Sequence, residues 1–244
     1  MCDVQRCLGF ADLTLYPASH YPRTIDALGE RFNQRNLPEL VRWFLYLQDN
    51  PEDDRDVEEI PLVECPYLFN MTDVSVFHSA QATFFAPSNP SGARGMYRET
   101  IQSTPRWTRG EIPGPRRDCV FVSAPGDKTD TTVNDLNVAW ALSFFSFSRS
   151  GKEYQCTLVH WFSTFGCEPD PDMGMWVVVP DYDRRGYRNV SVIHIDSIVR
   201  GAHLSPVFNT SKLPNSLNYT HSLDYFSAFY MNKYIDPHAF ELLQ

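Results

Sequence analysis

Residues 137–162, NVAWALSFFSFSRSGKEYQCTLVHWF, constrain the fold more than any other stretch. Two apolar-rich runs flank Arg149-Ser150-Gly151-Lys152, the pattern of an antiparallel β-hairpin. Strands of this kind dominate the chain from residue 60 onward. Aromatic residues make up 14% of it, which favours strands and a filled core. Eighteen Pro and 12 Gly imply many turns and few long helices. At 244 residues the chain is long enough to fold without covalent staples.

The first 59 residues read differently. Residues 1–22 are irregular, punctuated by Pro17 and Pro22. Thr24 can cap a helix through IDALGERFNQ. A second helix begins near Pro38, with Leu37, Leu40, Val41, Phe44, Leu45 and Gln48 on one stripe that must dock on something. Residues 49–59 hold seven acids and one Arg, a net of −6, and read as a solvated loop. The expected organisation is an N-terminal helical arm with its acidic loop (1–59) followed by a β-rich domain (60–244). In that domain 74–87, 118–125, 175–180 and 190–199 are strands. Residues 87–117, with five Pro and four Gly, read as a long loop. Residues 222–235 read as a closing amphipathic helix, with Leu223, Phe226, Tyr230 and Tyr234 on one face.

The formal charge of −9 argues against a protein that coats nucleic acid non-specifically. A local basic face remains open. Six cysteines with no apparent leader ahead of them are expected to be reduced thiols in an intracellular protein. No apolar run approaches the ~20 residues of a membrane helix, and no membrane partner is expected.

Several constellations bear on chemistry. Cys156, His160 and Cys167 invite a metal reading. On a strand, Cys156 and His160 share a face but sit about 13 Å apart at ~3.3 Å per residue, too far for one zinc ion. Cys156 then reads as a core residue, and His160 as a hydrogen-bonded histidine beside aromatics. Asp196, at the end of the apolar run IHIDS, resembles the first carboxylate of a two-metal site. Asp224, Asp236 and Glu241 follow within too short a chain for the remainder of such a fold. No nucleophile elbow, phosphate-binding loop or dinucleotide fingerprint is present. No catalytic residue, metal ligand or cofactor is therefore assigned.

The strongest surface signal lies in 94–117. Arg94, Arg98, Arg106, Arg109, Arg116 and Arg117 against Glu99 and Glu111 give a net of +4, with Tyr97 and Trp107 interleaved. Arg with aromatics suits phosphate contact and base stacking, so Arg94, Arg98, Trp107, Arg109, Arg116 and Arg117 are candidate nucleic-acid contacts. The competing account pairs these arginines with the 49–59 acids or with neighbouring strands. Trp140, Trp161, Phe162 and Trp176 could line a cation-binding aromatic cage, core packing being the simpler account.

Several blocks in order, among them LPELVRWFLYLQDNP, SVFHSAQATFFAPSNPSGARGMYRE, LSFFSFSRSGKEYQCTLVHWF, GMWVVVPD, SVIHIDSIVRGAHLSPVF and SLDYFSAFYMNKYIDPHAFE, resemble the C-terminal region of proteins encoded by Plavaka-type fungal transposons. The resemblance spans about residues 20–242. It implies a nuclear, transposon-derived protein whose RNase H-like catalytic core lies upstream and whose trailing domain is present here. The order of DCVFV, the hairpin ending in VHWF, an acidic loop and IHIDSIVRGAHLSPV also resembles a bromo-adjacent homology domain. That implies a small distorted β-barrel engaging chromatin proteins, with Trp161 and Phe162 as the aromatic cage. Three readings follow: a non-catalytic module binding chromatin proteins or nucleic acid, a transposase fragment needing its upstream core as partner, or a decayed copy. The oligomeric state is open.

Overall fold

A computed structural model describes residues 12–17, 21–68, 73–90, 92–109, 112–123, 136–208, 212–215 and 217–244. The polar block 124–135, Cys2 and Cys7 lie outside the described residues.

The chain is mainly antiparallel β, with twelve strands among the described residues in one branched sheet. Its spine is the hairpin expected from the sequence: β6 (Leu136–Arg149) and β7 (Lys152–Phe165) pair from Val138 and Phe162 down to Arg149 and Lys152. Ser150 and Gly151 turn it with φ of 51° and 79°, the left-handed pair that a tight hairpin requires. Each spine strand has a second edge shared by two neighbours. β5 (Cys119–Ser123) pairs with the start of β6, and β2 (Val74–Phe85) with its end. A bulge between Ala141 and Ser143 lies between those two ladders. On β7, β9 (Val190–His194) and β8 (Val177–Pro180) divide the edge in the same way.

This branching buries β6 on both faces, which explains its nearly unbroken apolar sequence. One core gathers Val138, Trp140, Phe145, Cys156, Leu158 and Phe162 beneath two helices. The other is built of small residues, Ala80, Ala82, Ala86, Ala139 and Ala141, around Phe84, Phe144, Ile195 and Ile198.

The expected apolar stripe docks on the first core. α1 (Ile25–Arg31) is capped by Thr24, whose Oγ1 accepts from the Ala27 N–H at 3.3 Å. α2 (Leu37–Asp49) buries Leu37, Leu40, Val41, Phe44 and Leu45. The Phe44 ring meets Tyr154 edge-on at 6.0 Å and stacks on His194 at 6.4 Å. Each such side chain is worth about 1.5–3 kcal/mol when fully buried, which is what holds the helices to the sheet. Between them the chain turns so tightly that a Cβ on Gly29 would lie 2.6 Å from the Gln34 carbonyl oxygen. That close approach fixes Gln34.

Several expectations need correction. Residues 12–17, within the stretch read as irregular, form β1 (Asp12–Pro17) against β2. The expected 87–117 loop is largely β3 (Met96–Arg109) and β4 (Ile112–Arg117). Pro105 falls at a bulge between Thr104 and Trp107, and Pro113 and Pro115 lie on β4, the strand that ends the sheet path. Those are the positions where a missing N–H is tolerated.

The 190–199 run is interrupted by a 3-10 turn over Ile195–Ser197, where His194 Nδ1 accepts from the Asp196 N–H at 3.2 Å. It continues as β10 (Ile198–Ala202), followed by β11 (Leu204–Pro206). The expected 222–235 helix is only α3 (Ser222–Tyr225). β12 (Phe229–Met231) follows, with Phe229 and Met231 facing the core, and the chain closes with α4 (Pro237–Leu242).

The sheet is open and not a closed barrel. β10 runs beside β3, but no ladder joins them among the described residues. The Gly201 N–H donates instead to a Glu99 carboxylate oxygen. The donor that barrel closure would use is taken by a side chain.

Candidate functional site

The candidate arginines divide by strand geometry. Arg94 sits at the β2–β3 turn with φ 55°, followed by Gly95 at 78°. Arg98 faces outward from β3, as does Arg106 beyond the bulge. Arg94, Arg98 and Arg106 make no ion pair with the described residues. Arg109 pairs with Ile112 at the end of β3, and its side chain lies outside the described residues.

Arg116 and Arg117 are adjacent on β4 and so take opposite faces. The Arg116 guanidinium lies over the Trp107 ring at 4.7 Å and forks onto Asp118 at 2.9 and 3.2 Å. Arg117 turns inward over the Phe32 ring at 5.6 Å, and burial lowers its pKa. β4 itself is held by the 218–221 segment: a Cβ on Gly114 would lie 2.4 Å from Thr220 Cγ2. The 49–59 acids do not neutralise this region. Asp53 binds Arg55, Asp49 binds Arg149, and Glu58 lies 4.0 Å from Arg184.

The expected aromatic cage does not form. Trp161 and Phe162 are consecutive on β7 and leave opposite faces. Phe162 is 5% exposed in the first core, edge-on to Phe229 at 5.8 Å. Trp161 packs on the second core and donates to Ser191 Oγ at 3.0 Å. Trp140 is likewise buried, its N–H donating to the Arg117 carbonyl at 3.0 Å.

The four acids weighed for a two-metal site are dispersed. Asp196 lies 3.4 Å from His194, Asp224 3.5 Å from Arg188, Asp236 2.6 Å from Arg200, and Glu241 accepts from Ser88 at 3.0 Å. Among the described residues no three His, Cys, Asp or Glu side chains converge as metal ligands would.

Two further clusters escaped the sequence reading. In one, Arg200 is 1% exposed. Its guanidinium donates to both Asp236 oxygens at 3.0 and 2.6 Å, approaches Glu99 at 3.4 Å, and contacts His238 Nδ1 at 3.0 Å. Only its Nε lacks a partner. Asp236 also caps α4 through the Ala239 N–H, and His238 stacks on Phe84 at 4.9 Å. Burial lowers the His238 pKa to about 4, with Arg200 adding to the shift. Burial raises that of Glu99, against the pull of Arg200. This network ties the C-terminal helix to the β3–β10 gap.

The second cluster contains Arg117, Arg188 and His160. Arg188 donates to the Leu223 carbonyl at 2.7 Å and lies near the Phe162 and Tyr182 rings at 5.8 and 5.4 Å. His160 sits edge-on to Trp140 at 5.6 Å, with Gln34 Nε2 3.4 Å from its Nε2. Its pKa falls to about 4 through burial, then the charges of Arg188 and Arg117. Cys156, on the same strand face, is fully buried and burial raises its thiol pKa.

No family model matches this chain, and neither a curated protein nor a solved structure matches it.

Proposed function

We propose that this chain is a non-catalytic interaction module of a transposon-derived nuclear protein, and that it engages nucleic-acid phosphates through the outer side of β3 and β4. One observation carries the reading: in a chain of formal charge −9, Arg94, Arg98 and Arg106 stand exposed without an acidic partner among the described residues. Folding gives no reason to keep three unpaired cations on one strand and its turn. The Arg116–Trp107 stack beside them offers an aromatic surface of the kind that meets bases. The dispersal of the candidate acids among separate partners supports the non-catalytic part. The order of β5, the β6–β7 hairpin, β9 and β10 along the chain supports kinship with bromo-adjacent homology domains, in an open sheet.

The test is binding of the whole chain to short duplex DNA across a salt series, beside an Arg94/Arg98/Arg106→Ala variant. The variant should bind more weakly on every sequence, with a salt slope shallower by about one per lost phosphate contact. Equal binding by both proteins would overturn the reading. Binding to nucleosomes and not to naked duplex would move the partner to a histone surface.

A further inference from the structure

Three donors on the helix-covered side of the sheet lack acceptors. Arg188 Nη1 and His160 Nδ1 are buried without a hydrogen-bond partner. The Arg117 guanidinium has no hydrogen-bonded or ion-paired partner among the described residues, only the Phe32 ring beneath it. The tautomer of His160 follows from Gln34. An amide nitrogen donates, so His160 Nε2 accepts and the ring proton sits on Nδ1. All three unmet groups are therefore donors, and two of them carry charge.

They belong to one neighbourhood. Trp140 links two of them: its ring sits edge-on to His160 at 5.6 Å and its N–H donates to the Arg117 carbonyl at 3.0 Å. The Arg188 guanidinium lies 5.8 Å from the ring of Phe162, two residues from His160 on the same face of β7. Asp224 is the acid that pairs with Arg188. Its side chain is 60% exposed, whereas that of Arg188 is 14% exposed. At 3.5 Å it makes no hydrogen bond to Arg188, so it screens the pair loosely from the mouth of the site. Half-burying two guanidinium groups with so little compensation is costly unless something else supplies the acceptors.

We propose that Arg117, Arg188 and His160 form a binding site for a phosphate-type oxyanion. A tetrahedral anion offers acceptors in several directions at once, as three donors from β4, β7 and the 181–189 loop require. A planar carboxylate would satisfy one guanidinium fork and leave the others. Arg117 lies on the opposite face of β4 from Arg116, so this site is independent of the outer-face reading.

The experiment titrates the intact chain with inorganic phosphate against chloride at matched ionic strength. It follows melting temperature and the ring-nitrogen resonances of His160. Phosphate should raise the melting temperature more than chloride does and shift His160. Arg117→Gln should weaken phosphate binding by about tenfold or more, the scale of one charged hydrogen-bonded contact. Asp224→Asn, by removing the competing carboxylate, should tighten it several-fold. The Arg94/Arg98/Arg106→Ala variant should bind phosphate as the wild type does, which separates this site from the outer face. A 5′-phosphorylated oligonucleotide that displaces phosphate identifies nucleic acid as the source of the anion; one that does not identifies a free phosphate or small ester. The proposal is overturned if phosphate acts no differently from chloride, or if Arg117→Gln and Asp224→Asn both bind as the wild type does.

Discussion

Arg200 is buried and Arg117 and Arg188 are half-buried, and their surroundings differ in kind. Arg200 meets two carboxylates and a neutral imidazole, and both its Nη atoms are engaged. Arg188 has one exposed aspartate, Arg117 has no ion-paired partner among the described residues, and the imidazole beside them leaves a buried nitrogen unpartnered. A charge whose partners come from the same chain acts as a lock. Charges left short of partners tax the fold unless a ligand completes them. The same residue type is structural in one place and receptive in the other because of what stands around it.

That contrast can be broken most directly by removing each arginine. Arg200→Ala leaves the half-buried Asp236 and Glu99 without their shared cation, and should cost about 3–5 kcal/mol of stability. Arg117→Gln, which relieves an uncompensated charge, should leave stability unchanged or raise it by up to about 1 kcal/mol. Urea unfolding of the two variants reads both values; equal losses would mean that the two regions are alike.

Acid gives the next largest effect. His160 and His238 each have a folded pKa of about 4 against an ordinary 6.5. Between those values the unfolded chain binds protons that the native state refuses, so stability falls as pH drops through that window. At pH 5 the loss should be about 2 kcal/mol per histidine. Glu99, with a raised pKa, acts in the opposite sense, since the native state takes up its proton first. Denaturant midpoints between pH 7 and 4.5 should show the net decline, and a flat profile would contradict neutral burial of the two rings.

A smaller effect sharpens the comparison. Phosphate should raise the pKa of His160, because an anion beside the ring favours its charged form. His238 should titrate as before. Ring-resonance titrations with and without phosphate distinguish the two histidines, and parallel shifts in both would dissolve the difference between the regions.

The sequence made some elements plain. The β6–β7 hairpin and α2 carry unambiguous periods, and the Arg149–Lys152 turn has the residues its geometry needs. Local pattern misled where tertiary pairing prevailed. Proline and glycine in 87–117 read as a loop, yet an edge strand and a bulge absorb both. Leu223, Phe226, Tyr230 and Tyr234 share a helical stripe, but β12 finds a ladder with β8 and β11 and the stripe is broken. Cys156 and His160 do share a strand face, in a packed core. The candidate arginines were visible as a group, although the group does not act as one: strand alternation sends Arg116 outward and Arg117 inward.

Alternation, turn chemistry and apolar spacing are local properties, and by themselves they determined that this chain is antiparallel β with docked helices. Which charges meet is not local. Arg200 and Asp236 stand 36 residues apart, and Glu99 binds Gly201 from 102 residues away. Arg117, His160 and Arg188 come from a strand, another strand and a loop. Only the folded sheet sets their distances and strips their water, and it is desolvation that turns an ordinary arginine into either a lock or a site.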